Sequence, residues 1–171
     1  IEEVGLPPEN ILAVTFTNKA SQEMKSRVVN LVNVNISGIN VGTFHSISAQ
    51  ILRKEIQLLG YNNDFTIYDQ RDSRSVVKQV IKDLNLDIKQ FDAKAYQARI
   101  SNAKNSLQEP EDIQKSIVSI NDEKFFDIYK QYQEVLKNNN CLDFDDLLIL
   151  PIKLFEKHPK RLKFYQKKFQ Y

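Results

Sequence analysis

Residues 11–20 are Ile-Leu-Ala-Val-Thr-Phe-Thr-Asn-Lys-Ala, a short apolar run followed at once by a polar turn. The apolar half is rich in β-favouring residues and follows the helix-breaking pair Pro7-Pro8. It predicts a strand buried on both faces, as in a parallel sheet. Thr17 and Asn18 are good N-cap residues, so a helix should follow through about Asn33. The pattern therefore predicts a strand that leads directly into a helix.

A second strand–helix unit comes next in the chain. The β-like run from Ile36 to Phe44 leads into a helix from about His45 to Leu59, and Gly60 should end that helix. Strand–helix–strand–helix with short connections is typical of a parallel α/β sheet. Open sheets of this kind bind ligands at the carboxyl ends of their strands.

The pattern changes after residue 68, beyond a short extended link at Phe65–Tyr68. Only helical periodicity follows as far as Asn139, and a capping Asp143 and then Pro159 begin two further helices. The four helices predicted in between cover residues 72–84, 92–105, 111–117 and 121–137. The sequence thus predicts an α/β part, a helical insertion and a helical return, and a protein that is mostly helical.

Bulk composition excludes several classes of protein. The 24 basic and 22 acidic residues nearly cancel, so any nucleic-acid contact must come from local placement of charge. No apolar run approaches the roughly 20 residues that span a bilayer. Cys141 is the only cysteine, which excludes an internal disulfide and indicates a buried thiol in a reducing compartment.

Two polar turns at strand ends are candidate binding sites. Phe16 either packs in the core or stacks on a nucleic-acid base, beside a helix N-terminus that favours an anion such as phosphate. Thr43 and Ser46 could hold a phosphate and His45 could donate to one, although such residues also serve as helix caps. The residues alone leave both alternatives open.

Two clusters of charged residues also have two interpretations each. Asp143, Asp145 and Asp146 are either metal ligands or acids that stabilise the start of a helix. A basic run near the end of the chain either follows a phosphate backbone or forms a solvated helix face. That run comprises Lys157, Lys160, Arg161, Lys163, Lys167 and Lys168.

Together, these strings resemble the UvrD/PcrA/Rep helicases of superfamily one, and PcrA-like members most of all. Residues 11–28 look like motif Ia of the family and residues 42–46 like motif Ib. Leu142-Asp-Phe-Asp-Asp-Leu-Leu148 resembles the segment that returns from the helical insertion to the motor core. The order and spacing agree over nearly the whole chain.

The resemblance implies a fold and an activity. It implies part of a RecA-like P-loop NTPase domain, 1A, at residues 1–55 and 139–171, with an all-helical insertion, 1B, at 56–138. The parent protein would be an ATP-dependent helicase that moves 3′ to 5′ on single-stranded DNA in repair or replication. Its partners would be single-stranded DNA, junctions with duplex and accessory repair proteins, in a bacterial cytoplasm near the nucleoid and not in a membrane.

The same resemblance assigns residues to the DNA. Phe16 would help to form a base pocket, and its neighbours would lie along the strand. Lys89 and Lys104 are candidates for contact with duplex or backbone, although Lys89-Gln90-Phe91 replaces the two lysines before phenylalanine that are frequent in the family. Residues 143–146 (Asp143, Phe144, Asp145 and Asp146) would form the structural return motif. The DNA-contacting set is Phe16, Thr17, Asn18, Lys19, Thr43, Phe44, His45 and Ser46.

The motifs for ATP chemistry are not found in the sequence. The Walker A loop of the family is expected before Ile1 and the Walker B acids after Tyr171, so no catalytic residue, metal ligand or bound cofactor is assigned here. ATP and Mg²⁺ would belong to the parent protein. Two other classes stay open, namely a non-catalytic DNA-binding or scaffold module and the helicase half of a recombination helicase–nuclease.

Overall fold

The computed structural model describes residues 5–32 and 37–171, which form two compact units. The first unit comprises Ile1–Leu59 with Leu150–Tyr171, and the second comprises Gly60–Ile149. Helices dominate both, with two small parallel sheets, which confirms the prediction of a mostly helical α/β protein. None of the described helices is long and apolar enough to cross a membrane.

The first unit has the predicted strand–helix–strand–helix order. Its elements are β1 (Leu12–Thr15), α1 (Asn18–Leu31), β2 (Asn40–Thr43), α2 (Phe44–Glu55), the end of α7 (Phe144–Lys157) and α8 (Pro159–Lys168). β1 and β2 pair in parallel, with Leu12 opposite Asn40 and Thr15 opposite Thr43. A 3-10 turn at Ile56–Leu59 and a positive φ at Gly60 end the second helical segment as expected. The predicted limits Asn33 and Ile36 lie outside the described residues.

The prediction that β1 is buried on both faces is wrong. No residue of β1 is fully buried, and Val14 is 36% exposed. The sheet that the described residues of this unit form has only two strands, so each is an edge strand with limited cover. α1 likewise contains no buried residue. The apolar run therefore identified the strand correctly but overestimated its burial.

The second unit contains the predicted helices. They are α3 (Gln70–Asp83), α4 (Ala93–Asn105), α5 (Pro110–Lys115) and α6 (Ile120–Asn138), and no strand lies within residues 70–138, all of which the structure describes. Short polar side chains cap three of the helices. Asp69 forms a capping box with Asp72, the Asp92 carboxylate accepts from the Ala95 amide, and Ser119 caps α6. The core of the unit includes Val77, Val80, Ile81, Ile100, Phe125, Ile128, Tyr129, Tyr132 and Leu136.

A short parallel pair of strands joins the two ends of the helical region. β3 (Thr66–Ile67) lies in the predicted extended link and pairs with β4 (Cys141–Leu142), which the sequence did not reveal. Asn140, with φ of 51°, accepts a hydrogen bond on Oδ1 from the Asn62 amide at 2.9 Å. The second unit is therefore not purely helical. The buried thiol of Cys141, predicted from its isolation, lies in this pair of strands.

Candidate nucleic-acid interface

Two aromatic side chains lie where the parallel strands of the first unit end. Thr15 is opposite Thr43, so Phe16 and Phe44 follow at the same edge of the sheet. Phe16 is 91% exposed and Phe44 is 44% exposed, and their ring centroids are 5.5 Å apart at an interplanar angle of 52°. Phe16 therefore does not pack in the core of this chain. We call Phe16 and Phe44 the aromatic pair.

The turn that carries Phe16 is fixed by two hydroxyl groups. Thr17 has extended backbone angles, and its side-chain oxygen accepts from the Ala20 amide at 3.1 Å, which makes it the N-cap of α1 as predicted. The Thr15 hydroxyl donates to the Thr17 carbonyl at 3.0 Å. Asn18 and Lys19, in the first turn, are exposed together with Thr17. These three polar residues are therefore accessible beside the aromatic ring.

The turn that carries Phe44 is built differently. Thr43 is buried, its Oγ1 accepts from the Ser46 amide at 3.2 Å, and Ser46 Oγ donates to the Thr43 carbonyl at 2.9 Å. A Cβ on Gly42 would lie 2.4 Å from Ser46 Oγ, so only glycine lets α2 begin this close to the strand. Both hydroxyl groups thus hold the first turn of α2. His45 is half-buried and makes contacts within the chain.

The electrostatics of this edge favour an anion. Neither α1 nor α2 has an acidic residue in its first turn. The N-terminus of a helix carries a partial positive charge and amide groups without intrahelical partners. Two such termini follow neighbouring strands here, and both start within two residues of the aromatic pair. The arrangement offers apolar ring surface for bases and polar donors for phosphate oxygens.

The structure corrects the prediction for Lys104. This side chain is buried, and its Nζ donates to Asp143 Oδ2 and to Asp146 Oδ1, both at 2.7 Å. The Tyr132 hydroxyl donates to the same Asp143 oxygen at 2.9 Å. A buried ammonium held by two carboxylates cannot reach a nucleic-acid backbone. We call Lys104, Tyr132, Asp143 and Asp146 the buried charge cluster.

The two aspartates of this cluster also begin α7. The Asp146 amide donates to Asp143 Oδ1 at 2.9 Å, and the Asp143 amide donates to Asp146 Oδ2 at 3.2 Å. This reciprocal capping confirms the prediction that the acids stabilise a helix start. Lys104 provides the positive charge that a metal ion would otherwise supply between these carboxylates. Among the described residues, no group of three or more histidine, cysteine or acidic side chains could hold a metal ion.

Burial and mutual attraction set the charges of the cluster. Burial alone would lower the pKa of Lys104, but attraction by Asp146 and Asp143 outweighs it and raises that pKa. Burial raises the pKa of Asp146 to about 6, against the attraction of Lys104. Burial acts in the same sense on Asp143, yet Lys104 and the hydrogen bonds lower the pKa of that carboxyl. One ammonium thus cannot fully offset two buried carboxylates.

The spacing of residues in α4 is a sequence feature that indicates this cluster. Ile100, Ala103 and Lys104 are all buried, at the i, i+3 and i+4 spacing of one helix face. A lysine on an apolar face needs a buried anion, because an unpaired ammonium is too costly to desolvate. The partners lie 39 and 42 residues further along the chain, so the sequence did not identify them.

The remaining candidate residues lie in the second unit. Lys89 is exposed, and its backbone amide donates to Asp87 Oδ1 at 2.9 Å. Its contact with duplex DNA stays a prediction. Phe144 is exposed, and Asp145 Oδ1 accepts from the Asn105 side chain at 3.3 Å. Residues 143–146 therefore combine a buried structural half with an accessible half.

Comparison with known proteins adds a family and close relatives. A family model described as the UvrD/REP helicase N-terminal domain matches residues 1–171. The chain is 45% identical over 171 residues to a protein named ATP-dependent DNA helicase PcrA from Staphylococcus epidermidis, covering all of this chain and 24% of the relative. It is 46% identical over 169 residues to the PcrA helicase of Bacillus subtilis, covering 99% of this chain and 23% of that protein. The chain thus spans about a quarter of the length of these relatives.

Proposed function

This chain belongs to the UvrD/REP helicase family, whose N-terminal domain model matches residues 1–171, and from this premise we propose that it supplies single-stranded DNA contacts to an ATP-dependent helicase. The complete protein moves 3′ to 5′ along one strand and separates duplex ahead of it. Residues 1–55 and 139–171 belong to the RecA-like motor domain 1A, and residues 56–138 form the helical lobe 1B. ATP and Mg²⁺ act in the complete protein, through residues beyond those assigned here.

The observation that carries this proposal is the exposure of the aromatic pair. A phenylalanine that is 91% exposed contributes little to a core, and its apolar ring is left in water. Every nucleic-acid base presents a flat surface to such a ring, so stacking binds DNA without preference for sequence. The ring of Phe44, 5.5 Å away, provides a second surface at the same sheet edge. A translocating enzyme needs this kind of sequence-tolerant contact.

The polar residues around the pair divide into two roles. Thr17, Asn18 and Lys19 are exposed at the start of α1, where they bind the phosphate that follows a stacked base. Thr43 and Ser46 act indirectly, because their hydroxyl groups hold the first turn of α2 and hence Phe44. His45, in the first turn of α2, adds a further DNA contact at this edge of the sheet. Lys89 extends the contact to duplex at a junction.

The proposal is tested with Phe16→Ala in the full-length protein. Loss of a stacking ring costs about 1–3 kcal/mol per base, so the affinity for a dT oligonucleotide should fall by about tenfold or more. DNA-stimulated ATPase should need correspondingly more DNA for half-maximal stimulation. Thermal unfolding should be unchanged, because the ring is almost fully exposed.

Two further variants make the result specific. Val118→Ala removes a side chain that is 92% exposed in the second unit, and it should leave DNA affinity unchanged. Phe16→Trp keeps a stacking surface and should bind DNA at least as well as the original protein. A Phe16→Ala protein that is folded and binds the oligonucleotide normally would remove Phe16 from the interface.

A further inference from the structure

Helix α8 is held against the first unit by one of its faces. Tyr165 is buried, and its hydroxyl donates to Glu55 Oε1 of α2 at 3.1 Å. Arg161, one turn earlier, forms an ion pair with the same carboxylate oxygen. The ring of Phe155 in α7 packs against Tyr165, with centroids 5.6 Å apart. These contacts fix which side of α8 faces the protein.

The opposite side of α8 carries three lysines. At 3.6 residues per turn, Lys160, Lys163 and Lys167 fall within an arc of about 60° on the side away from Tyr165. All three are exposed, and α8 contains no acidic residue. Phe164 lies about 40° beyond this arc, next to Lys160, and is 48% exposed. We call these four residues the lysine face.

The charges of the lysine face are not compensated within the described chain. No ion pair among the described residues involves Lys160, Lys163 or Lys167, whereas Arg161 is neutralised by Glu55. Lys160 stands in the first turn of the helix, where the helix dipole disfavours a cation. Lys163 and Lys167 are four residues apart, a spacing at which like charges repel on a helix. The face therefore weakens α8 unless a negative partner covers it.

Phe164 gives the lysine face a fixed apolar anchor. The guanidinium carbon of Arg161 lies 4.6 Å from the centroid of the Phe164 ring, and the ring meets Tyr165 edge to face at 5.2 Å. Because Arg161 is itself held by Glu55, the ring is positioned before any partner arrives. A preorganised aromatic residue surrounded by charges resembles the hot spot and polar rim of a protein interface.

We propose that the lysine face of α8 is a docking surface for an acidic segment of a partner protein. Carboxylates of that segment pair with the three lysines, and an apolar side chain between them packs on Phe164. Charge complementarity of this kind guides association and sets the register of the two partners. The inference is independent of the DNA contacts proposed above.

The packing of Phe164 favours a protein segment over nucleic acid. Arg161 lies over the Phe164 ring, 4.6 Å from its centroid, so this ring offers less free face for stacking on a base than the exposed ring of Phe16. Lys160 and Lys167 are separated by about 10 Å along the helix, at about 1.5 Å rise per residue. The residues after α8 also meet the other end of β1, because the Leu12 amide donates to the Tyr171 carbonyl at 2.7 Å. The lysine face thus belongs to a different region from the aromatic pair.

The test measures peptide binding to the full-length protein. The probe is a short fluorescein-labelled peptide in which Leu residues are spaced between Glu residues, and an all-Glu peptide of equal charge serves as reference. Lys163→Glu/Lys167→Glu should weaken binding of the Leu-containing peptide by about tenfold or more, since attraction becomes repulsion. Lys78→Glu/Lys82→Glu reverses two exposed lysines at the same spacing on α3 and should have little effect.

A second variant separates docking from simple charge attraction. Phe164→Ala should weaken binding of the Leu-containing peptide and leave binding of the all-Glu peptide unchanged. The proposal fails if Phe164→Ala affects neither peptide, or if both charge reversals weaken binding equally. It also fails if Lys163→Glu/Lys167→Glu lowers affinity for a dT oligonucleotide by about tenfold, because the face would then bind nucleic acid.

Discussion

Lys104 places a positive charge inside the second unit, where it donates to two carboxylates, one of which also accepts from the Tyr132 hydroxyl. Such a cluster contributes modestly to stability while it is complete, because desolvation offsets most of the attraction. Removing its only cation is different, since two carboxylates then remain buried without compensation. The contribution of Lys104 to the free energy of unfolding is therefore large only when it is measured by removing the lysine.

We expect Lys104→Met to lower the free energy of unfolding by about 3–5 kcal/mol, the cost of breaking a buried ion pair from one side. The loss should shrink as pH falls from 8 to 5. Without the ammonium, both folded-state carboxyl pKa values lie above their unfolded values, so protonation at lower pH favours the folded state. Chemical denaturation at the two pH values measures this difference.

The matched control is Lys94→Met, which replaces an exposed lysine of the same helix. It should change stability little at either pH. If Lys104→Met proved as stable as Lys94→Met, the ion pairs would not form in solution.

Phe16 and Lys104 show why some residues of a site are predictable and others are not. The position of Phe16 follows from its neighbours in sequence, since a strand end and a capped helix start place that residue at the sheet edge. Its exposure and its contact with Phe44 do not follow from them, because they depend on what packs nearby. The environment of Lys104 depends on residues about 40 positions away, which no local pattern specifies. Local chemistry therefore predicted where Phe16 lies, and only the fold showed the aromatic pair and the buried charge cluster.

Among the elements, the junction between β2 and α2 leaves no room for a side chain at Gly42. A methyl group on Gly42 would lie 2.4 Å from Ser46 Oγ and 3.2 Å from the Ile47 side chain. Gly42→Ala should therefore destabilise the protein by about 1–3 kcal/mol, the usual cost of overpacking. It should also weaken DNA binding, because the first turn of α2 carries Phe44. Thermal unfolding and oligonucleotide titration provide the two measurements.

A double-mutant cycle identifies the contact responsible. Ser46→Ala removes the hydroxyl that the new methyl group meets, so Gly42→Ala/Ser46→Ala should be more stable than the sum of the single effects predicts. Strictly additive effects would show that Ser46 is not the obstacle.

The elements that the sequence predicted well are those with strong local signals. Thr17, Asp69 and Asp92 cap helices by short-range hydrogen bonds, and they marked the starts of α1, α3 and α4 to within a few residues. β3 and β4 are only two residues long and pair across the whole helical region, so no periodicity marks them. The burial of β1 was overestimated because a run of apolar residues specifies a strand but not what covers it.

At the scale of the whole molecule, the 171-residue chain contains no glycine-rich loop of the phosphate-binding type. None of its four glycines belongs to a Gly-x-x-x-x-Gly-Lys-Ser/Thr motif, whose amides and lysine hold nucleotide phosphates. We therefore expect the isolated chain to hydrolyse no ATP, with or without DNA. ATP with Mg²⁺ should not raise its thermal unfolding temperature. The full-length protein is the positive control.

Either of two results would contradict this expectation. One is a stabilisation by ATP and Mg²⁺ that saturates. The other is a DNA-stimulated hydrolysis rate that a substitution within the chain abolishes.

The pairing of β3 with β4 also constrains the order in which the protein forms during synthesis. Thr66 and Cys141 are neighbours in the sheet, yet about 75 residues separate them in the chain, and Asn62 and Asn140 are 78 residues apart. At about 5–20 residues per second, the ribosome needs on the order of ten seconds between the two strands. During that interval Thr66 and Ile67 lack their partner strand while α3, α4, α5 and α6 are made. The strand pair can therefore form only after these helices have left the ribosome, and the contacts of Lys104 with Asp143 and Asp146, which follow β4 in the chain, form no earlier.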